Sequence, residues 1–129
     1  MIVGIGMDLA DVGRIRCAAE ETALLARCFS DAERALFARK KEPWDTIAAN
    51  FAAKEAFSKA LGTGVRGFSL RDISVLRDAQ GRPYLEENAL FLRLKEQWGF
   101  HAAFVTLSHD RGIAAATVIL ERLESQDRR

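Results

Sequence analysis

The chain has 129 residues, 49% hydrophobic and 29% charged, the size and composition of one globular domain that closes a core without disulfides or metals. Lys plus Arg total 19 and Asp plus Glu total 18, a formal net charge of +1, which excludes a nucleic-acid binder driven by bulk charge and an acidic disordered chain. The longest stretch without a formal charge runs only from Gln97 to His109, short of the roughly 20 residues of a membrane helix.

In chain order, Ile2 to Leu9 reads as a short apolar strand, and Gly4 and Gly6 within it require that something pass close to its backbone. This opening has no basic leader and meets an acid at Asp8, unlike a secretory signal. Cys17 and Cys28 are therefore expected as reduced thiols in a cytoplasm, and with His101 and His109 they show no zinc-ligand spacing. Asp11 is positioned to cap a helix through about Glu20. Ser30 and Glu33 form a capping-box pattern that opens a helix to about Lys41, before the break at Pro43.

Trp44 to Leu61 has a helical pattern ended by Gly62. Ile73, Val75 and Leu76 predict a strand closed by the turn Ala79–Pro83, and Glu86 to Trp98 an amphipathic helix. Ala102–Ser108 and Ile113–Leu120 are β-rich runs joined by the four residues His109–Gly112, a hairpin. The expected fold is α+β: residues 1–123 as a single domain with a small, mainly antiparallel sheet packed against helices, and 124–129 as a polar tail.

Three segments carry chemistry. Asp8 follows two glycines, and either holds a divalent cation near a bulky ligand or merely starts a turn after a tightly packed strand. Phe51, Glu55, Ser58 and Lys59 lie three and four apart and share one helix face. That face is either an exposed Glu–Lys pair worth a few tenths of a kcal/mol, or an acid for a metal and an ammonium for phosphate on one rigid support. The Gly62-Thr63-Gly64 that follows leaves room for a ligand near the backbone. Ser108-His109-Asp110 are consecutive and so are not a triad, which is defined by spatial roles. Arg14, Arg16, Arg27, Arg34, Arg39, Lys40 and Lys41 fall in the first third and are offset by Asp11, Glu20, Glu21, Asp31 and Glu33, a solvated face or a docking surface for an acidic partner.

Taken together, G-I-G-M-D at 4–8, F-A-A-K-E-A-F-S-K-A-L-G-T-G at 51–64, G-R-P-Y at 81–84 and L-S-H at 107–109 closely resemble the holo-acyl-carrier-protein synthases, the short bacterial 4'-phosphopantetheinyl transferases. The likeness spans residues 1 to about 121. It implies transfer of the phosphopantetheine arm of coenzyme A to a serine of apo-acyl carrier protein, with release of adenosine 3',5'-bisphosphate, in support of fatty acid biosynthesis. It implies Asp8 and Glu55 as Mg²⁺ ligands and, with Lys59, as catalytic residues. Phe51, Lys59, Gly62, Gly64, Gly81, Pro83 and His109 are implied contacts for coenzyme A, and Arg14 for the acidic helix of the carrier. A homotrimer with coenzyme A at subunit boundaries is implied as well, in a cytoplasmic enzyme with neither nucleic-acid nor membrane partners. The chain departs from the pattern at Asn50, where many members carry Arg, and at Gln80, where Asn is common. The rival from another class is a non-catalytic binding module for coenzyme A or a carrier protein, which has no need of two metal acids.

Overall fold

Two glycines dictate how the molecule closes. In the computed structural model, which describes residues 1–62 and 67–124, strand β1 (Ile2–Asp11) lies directly against helix α4 (Trp44–Leu61). A side chain on Gly4 would run into the backbone carbonyl of Ala60, and one on Gly6 into that of Ala56. The alanines of α4 meet this need from the other side, with Ala52, Ala53 and Ala56 fully buried. Gly6→Ala should therefore cost at least about 3 kcal/mol, the upper end for overpacking, because a backbone carbonyl cannot swing aside. Urea unfolding of the variant reads it, and a loss below 1 kcal/mol, about a fivefold change in the unfolding constant, would mean the strand simply slides.

The main sheet has the order β1-β5-β4, all antiparallel. β4 (Ala102–Asp110) and β5 (Ile113–Glu121) form the expected hairpin, but its connection is two residues, not four. Arg111 and Gly112 both take positive φ, 50° and 83°, as a tight turn matched to the strand twist requires, so His109 and Asp110 belong to β4. Likewise β1 runs on to Asp11, which places Asp8 in the interior of a strand rather than at its end. Asp11 then caps α1 (Val12–Glu21), accepting from the Arg14 N–H at 2.9 Å.

The Ser30–Glu33 capping box is present at the start of α3 (Asp31–Ala38). The sequence pattern does not signal the five-residue α2 (Leu24–Cys28) or the 3₁₀ turn Leu70–Asp72; around the Gly81 turn β2 (Val75–Arg77) pairs with β3 (Pro83–Leu85) in a separate ribbon. Helix α5 (Ala89–Trp98) starts at the Asn88 cap, later than Glu86. Phe57 of α4 packs against Phe68, Phe91 and Phe100 to anchor this end of the core. Most of the tail, residues 125–129, lies outside the described residues. Among the described residues no helix is long and apolar enough to cross a membrane.

Candidate active site

Helix α4 is nearly all interior. Beyond Thr46 every residue of it is buried except Phe51, Glu55 and Lys59, which stand four apart and so form one line along the helix. Ser58 does not belong to that line: it is 2% exposed, and its hydroxyl donates to the Lys54 carbonyl at 3.1 Å. The other lysine of the motif, Lys54, points inward and is wholly buried. The single open stripe of the most buried helix thus carries an aromatic ring, an acid and an ammonium.

Asp8 meets this stripe. It lies on the face of β1 shared with Gly6 and Ala10, toward the helix. The Lys59 ammonium donates to Asp8 Oδ1 at 2.9 Å and to the Met7 carbonyl at 3.0 Å. Glu55 feels both neighbours: burial first and the Asp8 charge second push its carboxyl above the usual 4.5, with Lys59 opposing. The three side chains therefore converge, two acids and one base, in a setting that is electrostatically short of positive charge. Among the described residues no three His, Cys, Asp or Glu stand together as a metal cluster. A cation held here takes two carboxylates from the chain and completes its shell with phosphate oxygens and water, which fits Mg²⁺.

The remaining expected residues assemble elsewhere. Gly81, Pro83 and His109 line a cavity of about 480 Å³ together with Asp45, Arg77 and Arg82. Gly81 turns the β2–β3 loop at φ 84°. Asp78 holds that loop, its Oδ1 accepting from the N–H groups of Gln80 and Arg82, both at 2.9 Å. His109 Nδ1 is 3.6 Å from Asp45 Oδ2. Arg82 lies within the G-R-P-Y motif at 81–84, whereas Arg77 falls outside every motif and reaches the cavity only through the packing of β2. Asp45 lies in the first turn of α4 and Lys59 in its last, about 20 Å apart along the axis. Within one chain the acids and the His109 cavity are separate places. Gly62 ends α4 in a left-handed cap, and Gly64 lies outside the described residues. Arg14 is exposed on α1 with no ion pair among the described residues, whereas Arg16 pairs with Glu20 and covers the Trp44 ring.

A family model described as the 4'-phosphopantetheinyl transferase superfamily matches residues 4–118, and the chain belongs to that superfamily. It is 44% identical over 124 residues to a holo-[acyl-carrier-protein] synthase of Trichlorobacter lovleyi, covering 94% of this chain and 98% of that one. The crystal structure of the Neisseria meningitidis holo-[acyl-carrier-protein] synthase superposes with a TM-score of 0.86 at 34% identity, over 95% of this chain and all of that one. A Bacillus anthracis synthase solved in complex with CoA (3',5'-ADP) matches at a TM-score of 0.80 and 33% identity, over 95% and 99% of the two chains. Within the superfamily the protein is an enzyme of the holo-[acyl-carrier-protein] synthase type, with the expected α+β fold, and the binding-module alternative is set aside.

Proposed function

We propose that this enzyme moves the 4'-phosphopantetheine arm of coenzyme A onto a serine of apo-acyl carrier protein and releases adenosine 3',5'-bisphosphate. The observation that carries the reading is the convergence of Asp8, Glu55 and Lys59 on the one open stripe of α4. In the transfer the serine hydroxyl gives its proton to water as its oxygen forms a bond to the β-phosphorus, the pyrophosphate P–O bond breaks, and the nucleotide leaves with the negative oxygen. Asp8 and Glu55 hold Mg²⁺, which when bound neutralises charge on the pyrophosphate. Lys59, already drawn to this place by Asp8, adds a second positive charge toward the phosphates. Phe51 and Gly62 border the path of the coenzyme, as does Gly64 in the resemblance. Gly81, Pro83 and His109 receive its nucleotide end.

The separation of the two groups along α4 supports a shared site. The outer face of the sheet is apolar: Ile5 is 63% exposed, Leu9 61% and Phe104 54%. Registered on the same face are Met7, Thr106 and Thr117. Such a patch marks an association surface. We read it as the contact of a homotrimer that brings the cavity of one copy to the acids of the next. Light scattering on the purified protein should give three times the chain mass, and a monomer that is fully active would remove this part. The proposed setting is the cytoplasm, in service of fatty acid synthesis.

The direct test is the mass of a cognate apo-carrier incubated with coenzyme A, Mg²⁺ and the folded protein. A phosphopantetheine gain is expected, and an unchanged carrier overturns the reading. For the carrier side, Arg14→Glu should raise the apparent KM for carrier by about tenfold and leave that for coenzyme A within about twofold, because a rim charge governs encounter with an acidic partner. An equal rise in both would argue against docking at α1.

A further inference from the structure

The reaction leaves one half-buried cation without a task. Arg77 Nη2 donates to Asn50 Oδ1 at 2.9 Å, and its Nη1 makes only a long contact of 3.3 Å to the Leu76 carbonyl. Among the described residues neither Arg77 nor Arg82 makes an ion pair. The acid nearest in effect, Glu33, is already engaged by the Lys54 ammonium, the Asn50 amide and the Val75 N–H. A guanidinium partly withdrawn from water and facing no carboxylate is available to an anion from outside the chain.

Asn50 explains why the guanidinium stays in place. It is fully buried, and its Nδ2 donates to Glu33 Oε2 and to the Val75 carbonyl, both at 2.9 Å. Those bonds fix the amide, so its oxygen is aimed at Arg77. Asn50 takes one of the five guanidinium donors, and the side chain lines the cavity of Gly81, Arg82, Pro83 and His109. The cavity's one acid, Asp45, faces His109. Two unpaired guanidiniums in one cavity match a ligand with two phosphate groups better than one with a single phosphate.

We propose that Arg77, positioned by Asn50, binds the ribose 3'-phosphate of the nucleotide end of coenzyme A and gives the site its preference for a doubly over a singly phosphorylated ribose. This rests on the reaction proposed above, which supplies that nucleotide. Calorimetric titration of the full chain with adenosine 3',5'-bisphosphate and with 5'-AMP tests it, alongside Arg77→Gln, Arg77→Lys and Asn50→Ala. Arg77→Gln should weaken the bisphosphate by about ten- to a hundredfold and 5'-AMP by less than about threefold. Arg77→Lys should fall between, keeping charge without the fork. Asn50→Ala, which frees the guanidinium but leaves it present, should narrow the same ratio. If the unmodified chain does not bind the bisphosphate, the proposed reaction fails and this assignment with it. If it binds, and Arg77→Gln keeps the preference at an unchanged melting temperature, the assignment of Arg77 alone is overturned. Should Asn50→Ala not fold, the two Arg77 variants decide.

Discussion

Glu55→Gln should lower transfer by at least about a hundredfold, the scale of removing one preorganised electrostatic group from a phosphoryl-transfer site, while the chain folds. The amide keeps the shape of the carboxyl and occupies the same half-buried place on α4. What it loses is the charge that, with Asp8, makes the site attractive to a divalent cation. The substitution has a second consequence of opposite sign. Burial and the Asp8 charge raise the Glu55 carboxyl above 4.5, so between that value and its raised one the folded chain binds more protons than the unfolded chain. Stability then falls as pH rises through this window.

Removing the charge should accordingly raise the melting temperature of the metal-free protein at pH 7, and the gain should vanish near pH 4, where the native carboxyl is protonated in both states. A third reading separates metal from mere charge. Mg²⁺ should raise the melting temperature of the unmodified chain by mass action and leave that of Glu55→Gln almost unmoved. Near-normal turnover of the variant at limiting Mg²⁺ would end the assignment of Glu55 as a ligand.

Much of this site is legible because its logic is local. Glu55 and Lys59 are one turn apart, and Phe51 one turn before, so helical spacing alone puts them on one line. Gly4 and Gly6 announce a close approach by lacking side chains. What they approach, the carbonyls of Ala56 and Ala60, depends on the crossing of α4 and β1, which no spacing encodes. Ser58 fits the helical line by count, yet the width of the buried face takes it in.

The hairpin turn is hidden by Arg111, a poor residue for positive φ. β3 spans three residues, too few for alternation to register. Arg77 and Asn50 are 27 positions apart, and the bond between them exists only once β2 packs on the helix. The hardest residue of all is Lys54, because a lysine in a charged motif reads as solvated.

Lys54→Met should cost about 3–5 kcal/mol of folding stability, the penalty for breaking a buried ion pair from one side. The Lys54 ammonium is wholly buried and bonds the Glu33 carboxylate together with the carbonyls of Cys28, Leu70 and Ile73. One side chain thereby ties the end of α2, the 3₁₀ turn and the entry to β2 onto α4. Methionine fills the volume and supplies none of the donors. It leaves three carbonyls unmet and the Glu33 carboxyl without its cation. Burial already pushes Glu33 up, with Lys54 the main opposing influence, so loss of the lysine should drive it further. The folded variant then holds a proton that the unfolded chain has released, and its stability falls as pH rises above the ordinary carboxylate range. The deficit should therefore be smaller at pH 5 than at pH 8. Glu33→Gln added to Lys54→Met should recover part of the loss, since no unpaired charge is then buried. Urea unfolding at both pH values measures all of this. A deficit under about 1 kcal/mol, or one that does not change with pH, would show that water reaches the pair and that α4 is held by its alanine packing alone.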